Sequence, residues 1–328
     1  MKPYRVLVVT NLWPTESDPG YGSFVQAQME SLRPLGVEFD TLFIDGRASR
    51  RNYLRAFPEL LRRTKERQFD IVHAHFGLSG LVARGQFGLP LVVTFHGDDV
   101  LGQPTRSGRI TLMGRFFQVS SFLLAPLASA VIVQNREMKR RLKLASARII
   151  PCGVDLALFR PVDRNEARKS LGLNPEKKYV LFPYYRAERR KRFDLIEAAV
   201  AIARKQLPQI EILEVCGKPH RDLPLYMNAS DVLVLASMIE GSPMAVKEAM
   251  AVNLPVVAVE VGDVPELIGT TEGCYIVPRE AGPLSEKILE VCRRSIRTNG
   301  REHIARWSLE NVARDVVAVY AGITDSRP

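Results

Sequence analysis

The sequence predicts an α/β protein, and three observations carry that expectation. Apolar runs of strand length, such as Arg5–Thr10, Asp70–His75 and Val232–Ala236, alternate with stretches of helical periodicity. The first run leads through a Gly/Pro loop into a helical stretch and a second strand pattern, a β-α-β opening. The run at 232–236 is continuously apolar, as a parallel strand covered on both faces must be. A length of 328 residues fits one large or two medium domains, each able to bury its own core. With 46% hydrophobic and 25% charged residues, the composition is that of an ordinary soluble globular enzyme.

In chain order, strand Arg5–Thr10 is followed by a loop through Gly22, a helix over Phe24–Leu35 and a strand over Glu38–Ile44. No GxGxxG accompanies this opening, which argues against a dinucleotide oxidoreductase. Gly20 and Gly22 read by themselves as turn glycines. Between 47 and 67, Arg47, Arg50, Arg51, Arg55, Arg62, Arg63, Lys65 and Arg67 oppose only Glu59 and Glu66. Tyr53, Leu54, Phe57, Leu60 and Leu61 fall among them at near-helical spacing, with an interruption expected at Pro58 and a restart after it. One reading is an amphipathic element with a solvated basic side. The other rests that side on an anionic membrane.

His73 and His75 share one face of strand Asp70–His75, but no carboxylate pattern completes a metal site. Strand Pro90–Phe95 delivers His96 into the turn Gly97-Asp98-Asp99, at the end where open α/β sheets place ligands. A structural histidine is the alternative there. Phe116 to Asn135 is 20 residues without a charge, long enough to cross a bilayer. Its Gln118, Ser120, Ser121, Pro126, Ser129 and Gln134 favour a helix ending near Leu124 and a strand over Ala130–Val133 instead.

The second half opens with a charged stretch, Asp163–Lys178, containing a short helix over Glu166–Leu171. Strand Tyr179–Pro183 then meets the basic cluster Arg186-Ala187-Glu188-Arg189-Arg190-Lys191 before a helix over Phe193–Ala203. Cations at such a turn suit a diphosphate, and a solvated loop is the plain alternative. Strands follow at Glu211–Val215, Pro255–Val259 and Tyr275–Val277, with a helix over Leu284–Arg293 and an amphipathic helix through Leu309, Val312, Val316 and Tyr320.

The organising stretch is Leu235–Met250. After the strand, Ser242 stands where an N-cap belongs and Pro243 at the first helical position. The free N–H groups and positive dipole end of that helix make a phosphate site. Glu240 lies in the turn, and Glu248 lies about 9 Å beyond the cap along the axis. One carboxylate is placed for a sugar and the other for a ribose, although spacing alone favours two solvated acids on a surface helix.

The net charge of +10 is uneven: residues 1–158 hold 21 Lys/Arg against 13 Asp/Glu, and the remainder 25 against 23. Without a nucleic-acid-binding signature, a phosphate-bearing substrate or an anionic membrane is expected rather than nucleic acid. Cys152, Cys216, Cys274 and Cys292 have no paired or metal-like spacing, pointing to a reducing cytoplasm. The strand at the very start predicts no signal peptide.

The segment Glu240-Gly241-Ser242-Pro243 leading into Lys247-Glu248-Ala249-Met250 resembles the donor-site signature of retaining glycosyltransferases of family 4. That resemblance implies the GT-B architecture, two Rossmann-like doubly wound domains facing a central cleft. It implies an acceptor domain over 1–158, a nucleotide-sugar donor domain over 159–307, and a C-terminal helix over 308–328 crossing back to the first domain. By resemblance, Glu240 contacts the donor sugar, Glu248 the ribose, and the amides of Ser242, Met244 and Ala245 the diphosphate, with Gly241 matching the pattern. Arg186 and Lys191 match the cations that hold the departing diphosphate, with Tyr185 in place of the usual Gly. His96, in a His-Gly-x-Asp turn, faces the donor sugar, and Asp98 and Asp99 are cap and turn residues. Gly22 matches the loop that approaches the diphosphate, and Cys152 replaces an Asn where Ile149–Asp155 crosses between domains. The region after Val215 is shortened, so base recognition does not carry over.

The resemblance implies retaining transfer of a sugar from a nucleoside-diphosphate sugar to a hydroxyl of a saccharide or lipid-linked acceptor. It implies no cofactor and no metal; the cysteine pattern adds a cytoplasmic setting, and the basic stretch 47–67 is the candidate for peripheral contact with an anionic membrane. Gly22-Ser23-Phe24-Val25 and the Glu240 segment are closest to a bacterial cell-wall or exopolysaccharide subgroup. A sugar-nucleotide epimerase and a catalytically silent sugar-nucleotide-binding protein are the alternatives on the same architecture.

Overall fold

The computed structural model describes residues 3–105 and 108–324, which form two α/β units. The first takes the described parts of 1–104, 109–153 and 309–328, and the second those of 105–108 and 154–308. The main division therefore follows Gly153 and not residue 158. Val154 donates its N–H to the Trp307 carbonyl and buries its side chain with Phe159 in the second unit's core.

The first unit is built on a six-stranded parallel sheet in the order β2-β1-β3-β4-β5-β6. Its strands are β1 (Tyr4–Thr10), β2 (Val37–Phe43), β3 (Ile71–His75), β4 (Leu91–Thr94), β5 (Ala130–Val133) and β6 (Arg148–Ile149). Its helices are α1 (Ser23–Glu30), α2 (Arg51–Glu66), α3 (Gly77–Ala83), α4 (Asp98–Leu101), α5 (Leu112–Leu124) and α6 (Arg136–Leu142), and the last helix of the chain joins them. Val6 to Val9 are fully buried because right-handed crossovers put helices on both faces of the sheet. On the α1 side, Met29 and Leu32 share a core with Val312, Val316 and Tyr320.

Two local expectations change. The helix expected over 24–35 ends at Glu30, and a 3-10 turn over Arg33–Leu35 follows, because Pro34 cannot continue the α ladder. Conversely, α2 runs unbroken through Pro58. The carbonyl that Pro58 leaves unbonded belongs to Leu54, a residue 77% exposed, so the lost bond falls on the solvent side of the helix.

The second unit has a five-stranded parallel sheet in the order β11-β10-β9-β7-β8. Its strands are β7 (Lys178–Phe182), β8 (Ile210–Glu214), β9 (Val232–Leu235), β10 (Val256–Val259) and β11 (Tyr275–Val277). The helices are α7 (Arg164–Leu171), α8 (Phe193–Arg204), α9 (Leu223–Ala229), α10 (Met244–Ala251), α11 (Val264–Ile268), α12 (Ala281–Arg294) and α13 (Gly300–Ile304), after which α14 (Leu309–Thr324) returns to the first unit. Side chains of α8 and α12 fill one core, and those of α10 and α11 the other. The strand order reverses between β7 and β9, so their carboxyl ends flank a switch-point crevice. No helix among the described residues is long and apolar enough to cross a membrane.

One buried carboxylate ties this unit together. Asp231, fully buried, accepts from the Tyr179 amide at 2.7 Å and pairs with Arg164 and Arg168, each at 2.6 Å. Asp231→Ala strands the buried Arg168 guanidinium, so urea denaturation should show a loss of about 3–5 kcal/mol. A loss below about 1 kcal/mol would show that the fold does not rely on this pairing.

Candidate functional site

In the second unit the carboxyl ends of β7 and β9 carry the predicted residues into one place. The Met238 amide donates to the Arg190 carbonyl at 2.8 Å, stitching the turn after β9 to the turn after β7. Across that seam Lys191 Nζ lies 2.5 Å from Glu240 Oε1, with both side chains nine-tenths buried or more. Arg190 lies 3.7 Å from the other Glu240 oxygen, and the Lys191 ammonium sits 3.8 Å from the centre of the Tyr184 ring. Burial alone would raise Glu240, but Lys191 and Arg190 outweigh it and hold the carboxyl below its usual value. Burial lowers Lys191 in spite of its partner. Tyr184 is raised well above the usual tyrosine value by burial and by Glu240 and Glu248.

The start of α10 differs from expectation. Its first helical residue is Met244, so Pro243 and not Ser242 occupies the cap position, with no side-chain cap. The Ser242 hydroxyl instead donates to Asp263 Oδ2 at 2.5 Å. That exchange leaves the Met244 and Ala245 amides with no partner among the described residues. Burial pushes Asp263 up to about 6, against the attraction of the buried Lys247. Gly262, at φ +56°, closes this turn: a Cβ there would stand 2.8 Å from the Gly241 carbonyl oxygen.

Glu248, on the buried side of α10, binds His220 Nε2 through Oε1 at 2.7 Å. Burial opposes the imidazolium, but Glu248, joined by Asp155, overrides it and raises His220 above the usual histidine value. Arg186 is not part of the Lys191–Glu240 cluster. It forks onto the Glu214 carboxylate and stacks on Phe193 at 4.2 Å.

The first unit holds His96 and Gly22. His96 Nε2 meets His75 Nδ1 at 3.1 Å, its Nδ1 lies 3.8 Å from Cys152 Sγ, and Phe24 packs edge-on at 5.2 Å. His75 stacks on His73, whose two nitrogens bind Tyr320 (2.6 Å) and Thr94 (2.8 Å). Burial drives all three rings toward neutrality, with His73 and His96 at about 3 and His75 well below its usual value. His96 keeps some exposed surface, yet its enclosed ring nitrogens decide the shift. Asp99 accepts from the His96 and Gly97 amides and is pushed up to about 7 by burial. Gly22 is demanded by sterics: at φ +70°, a Cβ there would stand 2.2 Å from the Leu12 carbonyl carbon.

Residues 2–158 match the family model described as Glycosyltransferase Family 4, and residues 188–294 the model described as Glycosyl transferases group 1. The chain is a GT-B glycosyltransferase of the family 4 type. A Bacillus subtilis (strain 168) protein named as a teichuronic acid biosynthesis glycosyltransferase, TuaC, is 25% identical, covering 87% of this chain and 88% of its own length. A D-inositol 3-phosphate glycosyltransferase of Mycobacterium marinum is 28% identical over 77% of this chain and 63% of its own length. In fold, the chain is similar to sucrose-phosphate synthase from Thermosynechococcus elongatus, with a TM-score of 0.79 at 21% identity, covering 99% of this chain and 100% of that one. Anabaena HepE, solved with UDP and glucose, gives 0.72 at 15% identity, covering 97% and 100%.

Several residues of this candidate site were not singled out by sequence reasoning. Tyr184, Arg190, His220 and Asp263 each reach it from a strand end or turn. Only Tyr184 and Arg190 carried a signal, their position just beyond a strand. His220 and Asp263 meet their partners across 28 and 21 residues, which no local pattern reveals.

Two measurements check the electrostatics. Lys191→Met leaves the buried Glu240 with only the more distant Arg190 and should cost about 3–5 kcal/mol, whereas Lys191→Met with Glu240→Gln should recover a large part of that loss. Equal losses in the single and double variants would mean the two groups are not coupled. The glycosyltransferase's His73, His75 and His96 have folded pKa values below their unfolded value. Their stabilising contribution is therefore lost as pH falls below about 6.5. Asp99 works the other way as pH rises toward about 7, one group against three. In histidine NMR titrations these three imidazoles should stay neutral down to about pH 4, and any of them titrating near about 6.5 would contradict this.

Proposed function

We propose that this glycosyltransferase moves a hexosyl group from a nucleoside-diphosphate sugar to an acceptor hydroxyl with retention of anomeric configuration. The observation that carries the reading is the Lys191–Glu240 ion pair beside the unpaired Met244 and Ala245 amides. A departing diphosphate there meets an ammonium and a helix start, where its negative charge develops. Glu240, ionised and held by Lys191, orients the sugar hydroxyls. Glu248 binds a ribose hydroxyl through Oε2, since His220 occupies Oε1. Arg186 joins the diphosphate only by releasing Glu214, so Arg190 is the nearer second cation. His96 lines the donor sugar from its turn, and Gly22 holds the loop after β1.

The reaction is a front-face substitution through an oxocarbenium-like state. The bond from the anomeric carbon to the diphosphate breaks, the bond to the acceptor oxygen forms on the same face, and the acceptor proton leaves with the diphosphate. No metal or cofactor takes part in this reading. The acceptor belongs to cell-envelope polysaccharide or glycolipid synthesis, a reading supported by the likeness to TuaC. It is a saccharide or lipid-linked molecule met at the cytoplasmic face of the membrane. Of the cations in 47–67, Arg47, Arg62, Arg63 and Arg67 are paired with acids, leaving Arg50, Arg51, Arg55 and Lys65 for that contact.

A nucleotide-sugar panel, scored by nucleoside-diphosphate release in excess chelator and by the anomeric configuration of the product, tests the reading. Glu248→Ala should weaken nucleoside-diphosphate binding by roughly 1.5–3 kcal/mol, the worth of a charged hydrogen bond. Glu240→Gln should bind the free nucleotide normally and lose turnover. Binding without release in the wild type would leave a silent binding protein. Conversion of the sugar nucleotide without transfer would make it an epimerase.

A further inference from the structure

We propose that the outer side of α5, flanked by the cations of α6, is a membrane-binding face that rests in the interface of an anionic lipid bilayer. The helix is inside out. Its inward side carries Gly114, Gln118, Ser120, Ser121 and Leu124, with Gln118 Nε2 bonded to the Leu101 carbonyl at 2.9 Å. Its outward side carries Leu112, Phe116, Val119 and Leu123, spaced to form one stripe, with Leu112 87% and Leu123 66% exposed. Packing fixes this orientation. Gly77 and Gly80 of α3 lie directly under α5, where added Cβ atoms would stand 2.4 Å from Ser121 and from Leu124. Rolling α5 to bury its large side chains would drive them into that contact. A soluble helix with no partner would carry the opposite pattern.

Charge selects the occupant. Between Asp99 and Asp155 the chain has nine Lys/Arg and a single acid, Glu137. Lys139, Arg140, Arg141, Lys143 and Arg148 have no ion pair among the described residues. Helix α4 packs against both α5 and α6, placing the cations alongside the apolar stripe. A stripe of Leu, Phe and Val with a basic border holding a single acid is the composition of a helix lying in the plane of an anionic membrane. A symmetric second copy would set these cations against themselves, which disfavours self-association. Since α5 is only 13 residues long, it lies in the interface and does not cross. This binding does not depend on the transfer reaction, so either can fail without the other.

The test is flotation of the full chain with phosphatidylcholine vesicles, with and without phosphatidylglycerol. Binding is expected only to the mixed vesicles. Lys139→Gln with Arg140→Gln and Arg141→Gln should weaken it on the order of a hundredfold, the product of about fivefold per cation. Phe116→Ser with Leu123→Ser, both exposed and so compatible with folding, should abolish the binding that survives high salt. With Leu112→Trp, indole emission should shift to the blue on mixed vesicles, reporting insertion of the stripe. Wild-type indifference to anionic vesicles, or unchanged binding by the serine variant, overturns the proposal. So does a solution dimer that dissociates in the serine variant, which would make the stripe a contact between copies. If nucleotide-sugar turnover is absent while vesicle binding behaves as described, the transfer reading fails and this one stands.

Discussion

A parallel sheet covered by helices on both faces has only its strand ends left to meet a ligand, and this constraint shapes both units. Most interior strands here are apolar on both sides, with His73 and His75 of β3 the chief exception, so most side chains capable of chemistry gather at the turns where strands hand over to helices. Within the second unit that confinement puts Tyr184, Arg190, Lys191 and Glu240 on two adjacent turns, stitched by one backbone hydrogen bond. Gly262 lets a third turn close against them without a side chain between.

The two units handle buried polar groups in opposite ways. The first gathers three imidazoles and leaves them neutral, because burial penalises the charged form and no carboxylate among the described residues bonds their ring nitrogens. With both ring nitrogens of His96 facing His75 and Cys152, its ring is held in place by its neighbours. The second unit buries charges in pairs: Lys191 with Glu240, Arg168 with Asp231, His220 with Glu248. Paired burial yields fixed, directed charge, which suits stabilising a departing anion; unpaired neutral burial yields shape.

The surface of the first unit shows the same logic reversed. The basic surface of α2 is neutralised in part, Arg62 and Arg63 pairing with Glu59 and Glu66 and the following Arg67 with Asp40. Along α5 and α6 Glu137 is the single acid, and the apolar side chains that a globular helix would hide face outward on α5.

By itself, the sequence determined the α/β class, most strand positions, and the turn holding Glu240 ahead of the helix holding Glu248. These follow from local periodicity and from the chemistry of residues next to one another in the chain. The family resemblance carried the two-domain architecture, which the strand orders and the comparisons bear out. Tertiary structure alone decided which cation meets Glu240, because Arg186, Arg190 and Lys191 share one turn and differ only in direction. It decided that Ser242 serves Asp263 and not the helix start, since a partner 21 residues away outcompeted the local cap. It kept α2 whole through Pro58 by setting the unbonded carbonyl toward water, and moved the division to Gly153 by pairing Val154 with Trp307. In each case the deciding term was a hydrogen bond, ion pair or solvent contact to a residue distant in the chain, which local sequence does not encode.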